Sequence, residues 1–188
     1  MNAPASHTAL ADGLALHAAL SDLAARAWLA LRQKLESQGP LADTLDEGQI
    51  ASYELAFVSA ELHAMGAMLA YAGRCATEGA ASLEERLALA FAADVTVKVR
   101  QRFDRVRDDL ALDAASLLAV FESPALRGFV RQWLAPTLLS ELGKAVLARG
   151  ECGRSLLEED KQIIAASFAR VAEDVVAPLA EKIHREDL

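Results

Sequence analysis

The sequence predicts an all-α protein: an antiparallel helical bundle of about five to six helices with a protruding C-terminal helix. Three observations predict it. Hydrophobic residues make up 53% of the 188, with alanine abundant, while Gly (10) and Pro (5) are scarce. Alanine loses no side-chain entropy on entering a helix, so such a composition favours helix over sheet. Apolar residues recur at three- and four-residue spacing almost everywhere, and no run of period-two alternation is long enough to propose a sheet. Ser and Asp stand where helices should start, with Gly and Pro where they should stop.

A first helix is expected from about Thr8 to Ser37, on a stripe of Leu16, Leu20, Leu23, Ala27 and Leu31. Gly39-Pro40 ends it, and Gly13 leaves its start open. A second should begin with Asp46 as N-cap and run to about Ala76, before Gly79. It is apolar on more than one side, through Ile50, Phe57, Leu62, Met65 and Leu69 together with Leu55, Val58 and Met68. That pattern predicts the central, most buried helix of the bundle.

The third helix opens on a capping box, Ser82 with Glu85, and continues through Leu87, Phe91, Val95, Val99, Phe103 and Val106. The stretch VTVKV within it reads locally as strand, but the helical pattern on both sides overrides five residues. Asp113 caps a short helix through Phe121; Ser123-Pro124 opens another, which Pro136 should bend or split before it resumes to Arg149. Gly150 and Gly153 form a hinge. After it, Ser155 and Glu158 make a second capping box for a last long helix. The expected division is residues 1–150 as a self-contained bundle and 154–188 as a separate element.

The formal charge is −8. Nucleic acid and anionic membrane surfaces require clustered Lys and Arg, so neither is an expected partner. The first residues lack the basic and apolar regions of a secretory signal, and no uninterrupted apolar run approaches the roughly 20 residues of a membrane span. Cys75 and Cys152 read as reduced thiols, which fits a cytoplasmic setting.

Few residues offer chemistry. Glu181-x-x-His184 has the spacing of a di-iron bundle ligand pair, but that site needs two such motifs and two more glutamates, so no metal site is assigned. Glu61 and His63, two apart, face different sides of a helix. Lys98, Arg100, Arg102, Arg105 and Arg107 form the one dense basic run, with Lys98, Arg102 and Arg105 on one face. A phosphate is one occupant. Ordinary surface pairing with the interleaved Asp94, Asp104, Asp108 and Asp109 is the simpler reading. Trp28, Trp133, Met65 and Met68 read as packing residues. No G-x-S-x-G, Walker or G-x-G-x-x-G sequence is present, and no catalytic, cofactor-binding or metal residue is assigned.

The last stretch carries a resemblance. Val171-Ala172-Glu173-Asp174-Val175-Val176-Ala177-Pro178-Leu179-Ala180 resembles the first helix of the catalytic region in acyl-CoA dehydrogenases. That helix has a phenylalanine-alanine pair, acidic residues, Ile or Val, Ala, Pro, and an Ala two places on. Here Val171 replaces the phenylalanine, and His184 stands where the family often has Asp. The match covers about thirty residues. A subgroup similar to the methylsuccinyl-CoA dehydrogenases carries a helical N-terminal extension, and LDEGQIASYELAFVSAELHAMGAMLAYA is similar to part of it.

The resemblance implies an FAD-dependent α,β-dehydrogenation of an acyl-CoA thioester. In the family a glutamate removes the α-proton while flavin N5 accepts the β-hydride. The glutamate and the flavin-binding β-barrel belong to regions not represented in these residues, so no activity is expected of the 188 residues alone. The implied partners are the remainder of the dehydrogenase chain, further copies in a homo-oligomer, and electron-transfer flavoprotein. The alternatives are a free-standing helical interaction module and, less well supported by ligand count, a ferritin-like metal bundle.

Overall fold

The computed structural model describes residues 6–40, 44, 46–76, 82–110 and 113–186. Every regular element among these residues is a helix, with no strand among them. The chain divides into two units, residues 1–153 and 154–188.

In the first unit, α1 (Ser6–Gln38), α2 (Gln49–Cys75) and α3 (Leu83–Val106) are long. Three shorter helices follow: α4 (Ala114–Phe121), α5 (Pro124–Trp133) and α6 (Pro136–Arg149). The α2–α3 seam is the most extensive, and α1 packs on both partners. The short helices close the remaining sides, α5 and α6 against α3 and α4 against α1 and α5.

The caps explain most boundaries. The Ser82 hydroxyl accepts from the Glu85 amide at 3.1 Å. Asp113 accepts from Ala115 N at 3.1 Å, and Ser123 from Leu126 N at 3.3 Å. Each satisfies one orphan donor of a first turn. Pro136 splits its helix rather than bending it: α5 ends at Trp133, and Pro136 becomes the first residue of α6, where its missing N–H costs nothing. Val95 to Val99 lie inside α3. Gly79 falls outside the described residues.

Several expectations are corrected. The most buried helix is α3, not α2. Twelve of its 24 residues are buried, against nine of 27 in α2. Alanines explain the difference. Ala88, Ala90, Ala92 and Ala93 let α3 be enclosed on several sides, whereas Ile50 and Phe57 of α2 lie exposed. Asp46 is not the N-cap of α2; its carbonyl accepts from Gln49 N in a preceding turn, and Gly48 holds the cap position. A Cβ at Gly48 would come within 2.7 Å of Leu35 Cδ1, so a larger residue in this turn would have to displace the Leu35 side chain of α1. Gly13 does not limit α1 but lies buried inside it, where a Cβ would meet Leu89 Cδ2 at 2.9 Å and Leu69 Cδ2 at 3.1 Å.

Two helical stretches, Thr8–Gln38 and Gln49–Cys75, are long and apolar enough to cross a membrane by length and composition. Neither contains an uninterrupted apolar run, because charged residues break the pattern while alanines raise the mean hydropathy. Both supply one buried face to the core: Leu20, Leu23, Ala27 and Leu31 from α1, and Leu55, Leu62, Met65 and Leu69 from α2.

The second unit is a single interrupted helix: α7 (Glu159–Val171), a π-helical turn (Ala172–Val176) and α8 (Ala177–Glu186). Ser155 does not cap it. Its hydroxyl accepts from Leu157 N at 3.4 Å in a local turn, and the helix starts four residues later, after Glu158. Its first turn is held instead by Lys161 Nζ on Glu158 at 2.8 Å and by Gln162 Nε2 on the Leu157 carbonyl at 2.6 Å.

Candidate functional site

The second unit carries the sequence resemblance, and its backbone follows from Pro178. A proline inside a helix cannot donate to the carbonyl four residues back, here that of Asp174. The chain widens just before it: Ala172–Val176 form the π turn, and the Ala177 amide reaches the Ala172 carbonyl five residues back. A π turn of this kind absorbs the lost bond without ending the helix. Ile164, Phe168, Val171, Val175, Leu179 and Ile183 recur along the helix, all exposed, with Phe168 at 72%. No residue of this unit is buried among those described. Scattered exposed apolar residues are ordinary, whereas exposed apolar residues that recur along one helix are the kind of surface association sites use.

The basic run of α3 is committed to ion pairs. Lys98 pairs with Asp94 at 2.7 Å, Arg100 with Glu122 and Asp104, and Arg107 with Asp108. Arg102 turns toward α2. Its Nη1 donates to Glu54 Oε2 at 2.7 Å, while Nε and Nη2 grip the two oxygens of Glu61 at 3.1 Å each. Arg105 adds a bond to Glu54 Oε1 at 3.2 Å. The Arg102 guanidinium also lies 4.5 Å over the Phe57 ring, which itself packs on Tyr53. This hydrogen bonding to Arg102 holds the Glu54 carboxyl below the usual carboxylate range, against the opposing effect of burial. The same contacts raise the Arg102 guanidinium, through Glu61 first. Two carboxylates saturate this cation, so the face shared by Lys98, Arg102 and Arg105 is a helix–helix lock and not a phosphate seat.

The glutamates of that lock were missed in the sequence. Their signal was present: Glu54 and Glu61, seven apart, share a face of α2, and Arg102 and Arg105, three apart, share a face of α3. A second long-range pair ties the end of α6 to the start of α3, with Arg149 Nη1 on Glu84 Oε1 at 2.8 Å. Glu84 is buried in the first turn of α3, where the helix dipole favours its charge.

The remaining candidates are dispersed. His17 Nε2 donates to the Leu62 carbonyl at 3.0 Å, an approach that Gly66 permits, since a Cβ there would stand 2.9 Å from the ring. Trp28 Nε1 donates to Ser59 Oγ at 2.9 Å, stitching α1 to α2. Met65 and Trp133 lie in the core. Glu181 pairs with Arg185, and no group of three or more His, Cys, Asp or Glu gathers among the described residues. Neither Cys75, buried, nor Cys152, exposed, is in a disulfide.

No protein-family model and no curated protein matches this chain.

Proposed function

We propose that these residues form the N-terminal region of an FAD-dependent acyl-CoA dehydrogenase. In this reading residues 1–150 are a helical accessory extension, and residues 154–188 are the first helix of the catalytic region. The observation that carries it is the second unit: a proline-bearing helix with the acidic, Val, Ala and Pro pattern of that family and an unburied apolar stripe from Ile164 to Ile183. Burying each such side chain is worth about 1.5–3 kcal/mol, so the stripe is a strong seat for a partner surface.

The role of the segment is structural. Flavin, held in the family by a β-barrel, has no assigned ligand among these residues, and no step of the reaction is placed on them. The partners in this reading are the catalytic body, further copies of the chain, and electron-transfer flavoprotein for the complete enzyme. The setting is cytoplasmic. The ion pairs that α2 makes at Glu54 and Glu61 support a water-facing bundle, because charges at such central positions are costly in a bilayer.

The test is the intact mass and visible spectrum of the native polypeptide bearing these residues, isolated with an antibody to residues 1–150. A longer, yellow chain that oxidises an acyl-CoA is expected. A colourless native polypeptide of 20.1 kDa would assign the segment instead to a free-standing interaction module.

A further inference from the structure

The α2 helix carries two apolar faces, and the bundle uses one. Ala51, Leu55, Val58, Leu62, Met65 and Leu69 step by four, three, four, three and four, and all are buried. Ile50, Tyr53, Phe57, Ala60, Ala64 and Ala67 step by three, four, three, four and three along the far side. Ile50, Tyr53 and Phe57 are 74%, 59% and 40% exposed, Ala60 and Ala67 are exposed, and Ala64 is half-buried. Apolar residues recurring alternately at three and four have the spacing of a coiled-coil seam, in which each side chain inserts between those of a partner helix.

The seam itself bears no charged residue. Along one flank stand Glu54 and Glu61, whose carboxylates are already held by Arg102 and Arg105. Along the other stand Ala56 and His63. Two copies of a chain of net charge −8 repel each other in general. On this face they meet without bringing unpaired carboxylates together. The Arg102 guanidinium over the Phe57 ring, and the Tyr53 ring 4.8 Å from that ring, hold the bulky half of the seam in place.

Size along the seam identifies the partner. The large residues, Ile50, Tyr53 and Phe57, fill its first half, and alanines fill its second. In an antiparallel pair of helices the first position of a heptad on one faces the fourth position on the other. One such register sets Ile50 against Ala67, Tyr53 against Ala64 and Phe57 against Ala60 of a second copy, with the two-fold axis between Val58 and Ser59. Every large side chain then meets a small one, which is the condition for layers that interdigitate. The two-fold axis repeats each contact, so the face is complementary to itself. A parallel pair would set Phe57 on Phe57 and alanine on alanine, overpacked at one end and hollow at the other.

We infer that the outer face of α2 is the contact between two copies of this chain, paired antiparallel in that register. The seam spans about 26 Å of helix at about 1.5 Å per residue. An interface of this size makes a weak, reversible dimer and not an obligate one. It lies within residues 50–67 and is independent of the dehydrogenase reading.

The experiment is sedimentation equilibrium of the 188-residue chain carrying Ile164→Glu and Val175→Glu, so that the apolar stripe of the second unit makes no contribution. A monomer–dimer equilibrium in the micromolar range is expected. Ala60→Glu, at an exposed position, should weaken it by about 100-fold or more without changing the far-ultraviolet circular dichroism. Register is read by cross-linking on the same background with the exposed Cys152 replaced, Cys152→Ser. An oxidised mixture of Tyr53→Cys and Ala64→Cys chains should form the mixed disulfide, because that pair comes within bridging distance, and neither variant alone should form a disulfide-linked dimer. A chain that stays monomeric up to about 1 mM would give the face to another occupant and overturn the proposal. Undiminished dimerisation of Ala60→Glu would overturn it too, as would disulfide-linked dimers of Tyr53→Cys alone, the mark of a parallel pair.

Discussion

Arg102 on α3 donates to Glu54 on α2 at 2.7 Å, with Glu54 almost fully buried at the seam of the two longest-packed helices. The second Glu54 oxygen goes to Arg105 and the rest of the Arg102 fork goes to Glu61, so both ends of the pair are saturated. Buried ion pairs add little net stability, because desolvation offsets attraction. Losing one partner is different, since it strands the other charge. Glu54→Gln should therefore cost about 1–3 kcal/mol at neutral pH, measured by urea unfolding. An unchanged midpoint would show that the lock is ornamental.

The same pair sets a pH dependence. The folded Glu54 carboxyl titrates below its ordinary range, chiefly through its hydrogen bond to Arg102. The unfolded chain then binds the proton more readily than the folded one. This contribution is fully present above the ordinary carboxylate value, about 4.3, and is lost as pH falls through the lowered folded value. The stability gap between the native sequence and Glu54→Gln should narrow as pH drops below about 4. A gap independent of pH from 7 to 3 would contradict the assignment.

Glycines divide by surroundings. Gly143 in α6 has open space where a Cβ would go, so Gly143→Ala should stabilise by about 0.5–1 kcal/mol through helix propensity alone. Gly13 is wedged between Leu69 and Leu89, both fully buried, so Gly13→Val should cost about 1–3 kcal/mol from overpacking. Thermal melts of the two variants should move in opposite directions; shifts of the same sign would mean that the α1–α2–α3 contact is looser than described.

Phe103 of α3 packs against the end of α4. It is 1% exposed, and its ring lies 6.1 Å from that of Phe121 at the end of α4. Phe103→Ala should cost about 3–5 kcal/mol, measured by denaturant unfolding. A loss under about 1 kcal/mol would indicate that α4 is not held by this contact.

Every buried apolar residue described lies at or before Leu142. Residues 1–153 should therefore fold without the second unit, and deleting 154–188 should shift the melting temperature by no more than about 2 °C. A large drop would show that the terminal helix belongs to the bundle.

Much of the fold was legible because local chemistry decides it. Ser82, Asp113, Ser123 and Pro136 act within one turn of themselves, and each sets a boundary where the sequence places it. Most of the failures needed tertiary information. Gly13 reads as a helix breaker unless Leu69 and Leu89 are known to press on it. Alanine does not declare whether it is inside or outside, so the greater burial of α3 was hidden. Ser155 carries the capping pattern, yet its hydroxyl is spent on Leu157 before the helix begins. The α2–α3 lock was half legible: the arginines were seen as a group, but their nearest acids in sequence are not the acids that hold Arg102.

In the proposed reading, the apolar stripe from Ile164 to Ile183 seats a larger catalytic body. Amide hydrogen exchange of residues 159–186 tests it most directly, compared between the 188-residue chain and the native polypeptide that bears it. Exchange near the unprotected rate is expected in the former, and protection greater by about 100-fold or more in the latter. Equal exchange in both would contradict it.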